Sequence, residues 1–261
     1  MPAYQGVLLD IDGVLTVSWR PLPGAAEAVA ALREDGYRLL FLTNTTSRTR
    51  QVLSQTLERA GFSIAAGEIL TAASATATYL RDAHPGARCL LLSSGDVRSD
   101  FEGIDLVGPE EAADVVVIGG AGVEFSHDTL NQVFRLLREG VPLVAMHRNM
   151  FWQTGDKLTL DSGAYIAGLE QASGARATVI GKPSRAFFDQ ALAELGAPAA
   201  GTVVVGDDLE ADVAGAKQRG MAAVLVRTGK YREEDLARSG IVPDAVLDSI
   251  TGLPAWLRGR R

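Results

Sequence analysis

Gly6-Val-Leu-Leu-Asp10-Ile-Asp12-Gly13 is a short apolar run that stops abruptly in two acids and a glycine. The same architecture recurs in Leu39-Leu-Phe-Leu-Thr43-Asn44, in Thr202-Val-Val-Val-Gly206-Asp207-Asp208, and, ending in a cation, in Ala177-Thr-Val-Ile-Gly181-Lys182-Pro183. Each run reads as a buried strand with polar residues at its carboxyl end, and helix-length amphipathic stretches lie between them, such as Ala25 to Glu34 and Thr49 to Ala60. This βαβα rhythm predicts an α/β fold with a Rossmann-like, doubly wound parallel sheet.

The rhythm yields eight or more strands, too many for one ordinary open sheet, so two sheets are expected. The expected division is a discontinuous core, residues 1–78 and 177–261, with an inserted α/β domain at 79–176. At 261 residues and 47% hydrophobic composition the chain can bury cores of that size. Aromatics make up only 6%, and the abundant Ala, Val, Leu and Gly suit parallel strands packed between helices.

A formal net charge of −7 argues against a nucleic-acid partner, and the one dense basic run, Arg258-Gly-Arg-Arg261, is terminal. The single cysteine, Cys89, excludes an intramolecular disulfide and fits a reducing compartment. No apolar run approaches the roughly 18 residues of a membrane span, and the opening MPAYQGVLLD lacks the basic stretch and long apolar core of a signal peptide. A cytoplasmic protein with no membrane partner is the expectation.

In an open α/β sheet the carboxyl ends of the strands line the ligand crevice. If the four quoted strands share one sheet, Asp10, Asp12, Thr43, Lys182, Asp207 and Asp212 converge there. Two carboxylates about 4 Å apart repel by roughly 4 kcal/mol at an effective dielectric near 20, so such a cluster calls for a cation. Oxygen ligands without nearby histidine or cysteine point to a hard ion, with Mg²⁺ the usual choice beside phosphate. Carboxylates, metal, lysine and a hydroxyl are the equipment of phosphoryl transfer. Within Asp10-Ile-Asp12, the first acid is placed to attack phosphorus and the second to donate a proton to the leaving group, then to deprotonate the hydrolytic water.

Asp10-Ile-Asp12-Gly13-Val14, Thr43-Asn44, Lys182-Pro183 and Gly206-Asp207-Asp208-Leu-Glu-Ala-Asp212 resemble, in order, the four motifs of the haloacid dehalogenase (HAD) superfamily. The chain is similar to the NagD-like subfamily IIA, whose large C2-type cap lies between the second and third motifs. Leu42-Thr-Asn-Thr-Thr-Ser47, Asn131-Gln-Val-Phe-Arg-Leu-Leu137 and Val226-Arg-Thr-Gly-Lys-Tyr231 place it near the group of HAD-like hydrolase domain-containing protein 2 and phospholysine phosphohistidine inorganic pyrophosphate phosphatase.

The resemblance implies that Asp10, Asp207 and the backbone carbonyl of Asp12 hold Mg²⁺, and that Thr43 and the Asn44 amide bind phosphoryl oxygens. Lys182 would neutralise Asp10 and the phosphoryl group, oriented by an acid such as Asp212. Asp212 could instead act through metal-bound water, and Asp208 could contribute further. The resemblance also implies a homodimer and, because a cap restricts access, a small phosphorylated metabolite as substrate. Phosphotransfer or mutase chemistry through the same intermediate, and non-catalytic phosphate binding, are the alternative functions. His147-Arg148-Asn149 and Trp152 are candidates for contacts from the inserted domain, against a plain reading as a strand-end loop. Gly119-Gly120-Ala-Gly122 lacks the third glycine of a dinucleotide loop, having Phe125 there, and reads as a tight turn.

Overall fold

The computed structural model of the chain describes residues 4–154 and 157–260. The side chain of Trp152, one of the candidate contacts, lies outside the described residues. Among the described residues no helix is long and apolar enough to cross a membrane.

The chain divides into two compact units. The first comprises Met1–Thr43, Arg50–Leu70 and Lys182–Arg261, and the second Asn44–Thr49 and Thr71–Gly181. The first is built on a six-stranded sheet whose strands run in the order Ala245–Leu247, Ala222–Val226, Thr202–Gly206, Gly6–Asp10, Arg38–Thr43, Ile69–Thr71. Its central ladders are parallel, with Gly6 opposite both Thr202 and Arg38. Gly6–Asp10 is buried along its whole length, as a strand covered by helices on both faces must be.

The covering helices show why. Ala25–Glu34 turns Ala25, Ala28, Val29 and Leu32 inward, a helical stripe packed with Val7, Leu9 and Phe41. Gly24, at φ 75°, supplies the left-handed turn by which the chain enters that helix. Arg50–Arg59 buries only Leu53 and Leu57, one turn apart, each contributing about 1.5–3 kcal/mol by leaving water.

The second unit holds a five-stranded sheet in the order Ala177–Val179, Leu143–Ala145, Val115–Ile118, Arg88–Leu92, Asp105–Val107. Its core joins Val116, Ile118 and Ala145 to Val133 and Leu137 of the His127–Arg138 helix and to Ile166 of the Ser162–Ser173 helix.

The expectation of an α/β fold with two parallel sheets holds. One strand is assigned differently. Ala177–Val179 pairs with Leu143–Ala145 in the five-stranded sheet rather than beside the other motif strands. The hydrogen-bonded run continues through Ile180 N–H to Ala145 O and Gly181 N–H to Met146 O. An Ala-Thr-Val-Ile run satisfies the period of either sheet, so only tertiary pairing decides its place. The units accordingly change over at Gly181/Lys182 and at Leu70/Thr71, in place of the expected 176/177 and 78/79.

Candidate active site

Register brings three motifs to one level of the six-stranded sheet. Asp10 lies opposite Leu42, so Thr43 follows immediately, and Leu9 lies opposite Val205, so Gly206 and Asp207 are the next residues on that side. Asp10, Thr43 and Asp207 are buried at these strand ends, 7%, 6% and 3% exposed. Lys182 arrives without sharing the sheet, as the first residue of the first unit after Gly181.

Lys182 is the hub. Its Nζ donates to Asp10 Oδ1 and, at 2.6 Å, to Asp212 Oδ1. Burial disfavours the ammonium, but the Asp10 and Asp212 carboxylates outweigh it and raise the lysine pKa. Asp212 is brought back over the strand end by a wide turn in which both Asp212 N–H and Val213 N–H donate to Asp208 O. Its Oδ2 accepts from Asp208 N–H at 3.2 Å. Gly206 is required beneath it, since a Cβ there would sit 2.2 Å from Asp212 Cγ.

Asp10, Asp207 and Asp212 each offer a carboxylate oxygen, and these lie within 4.8 Å of one another. Burial raises the Asp10 carboxyl well above the ordinary range; Lys182 opposes the shift, while Asp212 and Asp207 reinforce it. Burial likewise raises Asp207 to about 6, opposed by the Lys230 N–H and reinforced by Asp212. Three buried acids with one buried lysine leave a surplus of negative charge. The all-oxygen donor set therefore fits a hard divalent cation.

Asp12 stands apart from this cluster. Its side chain is exposed and its Oδ1 accepts from Ser18 N–H at 3.1 Å. Desolvation by the surrounding chain raises its pKa, against the Ser18 N–H and Lys230. Asp208 is engaged locally: its Oδ1 caps Glu210 N–H and Ala211 N–H, and its Oδ2 receives Lys230 Nζ at 2.9 Å. Although burial works the other way, Lys230 and the capped amides lower its pKa. Asn44 is the first residue of the second unit, one peptide bond beyond Thr43.

Thr228, Gly229 and Lys230 belong to the site although sequence reasoning gave them no role in it. Lys230 N–H donates to Asp207 Oδ2 at 2.6 Å, and Thr228 Oγ1 donates to Gly13 O. Gly13 (φ 99°) and Gly229 (φ 65°) flank the Asp207 carboxylate, and a Cβ on either would lie 2.1 Å from Asp207 Oδ2. A signal was present: Ala222–Val226 is another apolar strand that ends abruptly in polar residues and a glycine.

Two family models match the chain, one described as haloacid dehalogenase-like hydrolase over residues 7–107 and one as HAD-hydrolase-like over residues 179–253. The chain is 39% identical over 233 residues to haloacid dehalogenase-like hydrolase domain-containing protein 2 of Bos taurus, covering 89% of this chain and 88% of that protein. It is 38% identical over 256 residues to phospholysine phosphohistidine inorganic pyrophosphate phosphatase of Rattus norvegicus, covering 96% and 93%. Among solved structures, p-nitrophenyl phosphatase from Archaeoglobus fulgidus superposes with a TM-score of 0.90 at 29% identity, covering 98% of this chain and all of that one.

Proposed function

Because the chain belongs to the haloacid dehalogenase-like hydrolase family, we propose that it is a Mg²⁺-dependent phosphatase that cleaves a small phosphorylated metabolite through a phosphoryl group carried on Asp10. One observation carries the reading: a single buried lysine joins Asp10 to Asp212, with a third carboxylate, Asp207, alongside at the same strand ends. A site for binding phosphate alone gains nothing from three mutually repelling acids. A site that lends one of them to phosphorus does.

Asp10, Asp207 and the Asp12 carbonyl would hold the metal, which when bound offsets the charge of the carboxylates and of the phosphoryl oxygens. Asp10 attacks phosphorus as the leaving oxygen departs, and Asp12 protonates that oxygen. Asp12, now a carboxylate, takes a proton from the water that attacks phosphorus of the Asp10 acyl phosphate, which releases inorganic phosphate and returns Asp10 as a carboxylate. Lys182 holds Asp10 in line and balances the transferred group, while Asp212 fixes the lysine. Thr43 and the Asn44 amide receive phosphoryl oxygens, and Asp208 supports the site indirectly by anchoring Lys230 and the turn to Asp212.

By the family resemblance the second unit would be the cap, a device that suits small substrates. The relatives named as phosphatases support the activity, and the buried free thiol of Cys89 supports a cytoplasmic setting. A homodimer is inferred from the resemblance and is checked by light scattering. The test of the activity is p-nitrophenyl phosphate hydrolysis with Mg²⁺, in EDTA and in Asp10→Asn. The expected result is turnover only in the first, and substantial turnover in Asp10→Asn or undiminished turnover in EDTA overturns the proposal.

A further inference from the structure

Residues 44–49 belong to the second unit, although they directly follow the strand that ends in Thr43. They are seated at the carboxyl ends of the five-stranded sheet, where neighbouring strands leave in opposite directions and open α/β sheets take their ligands. In this chain that position receives a piece of its own backbone. Thr46 is 5% exposed, and its Oγ1 accepts Gly120 N–H at 2.9 Å. Arg48 and Asp96 form an isolated parallel bridge, and Gly95, at φ 78°, passes so close that a Cβ would lie 2.5 Å from Ser47 O.

Gly120 is equally constrained, since a Cβ there would approach Thr46 Oγ1 to 2.7 Å. This gives Gly120 of the Gly119-Gly120-Ala-Gly122 run a purpose beyond a turn: it clears the floor on which Thr46 sits. Behind Thr46 stands His147, 2% exposed, with Nε2 at 3.4 Å from Thr46 Oγ1 and 3.9 Å from Asp161 Oδ2. Its Nδ1 accepts Asn149 N–H at 3.3 Å, so the neutral ring carries its proton on Nε2, facing Thr46 and Asp161. Burial keeps the ring below the ordinary histidine pKa against the pull of Asp161. Asp161 is itself fixed, its Oδ1 accepting Ala121 N–H at 3.0 Å and Ser162 N–H at 2.7 Å.

We propose that Thr46, His147 and Asp161 form a positioning relay that anchors residues 44–49 and so sets Asn44 for phosphoryl binding. It rests on the reading that Asn44 binds phosphoryl oxygens. None of the three needs to touch substrate. Their role is to hold the Thr43–Asn44 junction to one geometry, because a small displacement of a phosphate donor lowers both affinity and rate.

The test uses full-length protein with Mg²⁺, inorganic phosphate as competitive inhibitor and p-nitrophenyl phosphate as substrate. Thr46→Val keeps the shape but removes the acceptor for Gly120 N–H. The expected effect is a rise of about fivefold to tenfold in the phosphate inhibition constant, the equivalent of one buried hydrogen bond. A matching fall in kcat/KM is expected, with Thr46→Ser restoring both. His147→Leu has the same effect, and Thr46→Val/His147→Leu is no worse than the stronger single variant, because the two residues act in series.

Phosphate inhibition and kcat/KM at wild-type levels in Thr46→Val, with only the melting temperature lowered, overturn the relay. So do fully additive effects in the double variant. Asn44→Ala with unchanged phosphate inhibition instead overturns the underlying role of the Asn44 side-chain amide, which keeps the two failures apart.

Discussion

Asp207→Asn removes one charge from the crowded carboxylates while keeping an oxygen for Lys230 N–H to reach. The Asp207 pKa is raised from 3.8 to about 6, and the group is 3% exposed. At about 1.4 kcal/mol per pH unit, that difference means ionised Asp207 destabilises the metal-free fold by about 3 kcal/mol. The sign follows from linkage. The folded-state pKa lies above the unfolded one, so the penalty is absent below about pH 4, grows as pH rises through about 6, and is constant above. In EDTA at pH 8, Asp207→Asn is therefore expected to be more stable than wild type by about 2–3 kcal/mol, and at pH 4 the two should coincide. Mg²⁺ is expected to cancel that advantage. Saturation at 100 times Kd stabilises wild type by about 2.7 kcal/mol, and the variant, lacking a ligand, does not respond. Urea denaturation at both pH values, with EDTA and with Mg²⁺, measures all four differences. Equal or lower stability of Asp207→Asn in EDTA at pH 8 refutes the claim that this cluster is overcharged without a cation.

Lys182→Met leaves Asp10 and Asp212 without their shared cation. A loss of about 3–5 kcal/mol in urea unfolding in EDTA is expected, together with loss of p-nitrophenyl phosphate turnover. Gly13→Ala forces a φ of 99° on a residue with a Cβ that would lie 2.1 Å from Asp207 Oδ2. About 1–2 kcal/mol of strain and a weakened Mg²⁺ activation constant are expected from titrating activity against the metal. Asp12→Asn removes the proposed proton carrier but none of the three clustered carboxylates. Steady-state turnover should fall by about 10²–10⁴-fold, with a burst of p-nitrophenol marking accumulation of the first-step product.

The strand-end motifs were legible because each is local: an apolar run, an abrupt polar stop, and a fixed order along the chain. Asp10, Thr43 and Asp207 needed only the inference of neighbouring parallel strands, and the ladders supply it. Lys182 reached the cluster although its strand was assigned to the wrong sheet. Ala177-Thr-Val-Ile carries the same pattern in either place, and the decisive pairing, Ala177 with Leu143, spans distant segments. Lys230 was hidden for another reason. What it gives Asp207 is a backbone N–H, which any residue but proline could donate at that turn. Thr46, Gly120, His147 and Asp161 are scattered through more than a hundred residues, and no single-sequence pattern links them. The glycine run at 119–122 was the visible trace, yet its meaning lay in what approaches it.

The central claim is that Asp10 carries the phosphoryl group. Asp12→Asn protein mixed with p-nitrophenyl phosphate and Mg²⁺, quenched in acid within the burst, reduced with borohydride and mapped by peptide mass spectrometry, tests it directly. The account predicts reduction of the residue 10 carboxyl to the alcohol, dependent on substrate and absent from the Asp10→Asn/Asp12→Asn double variant. A burst with residue 10 unmodified, or with the modification on another acid, contradicts it.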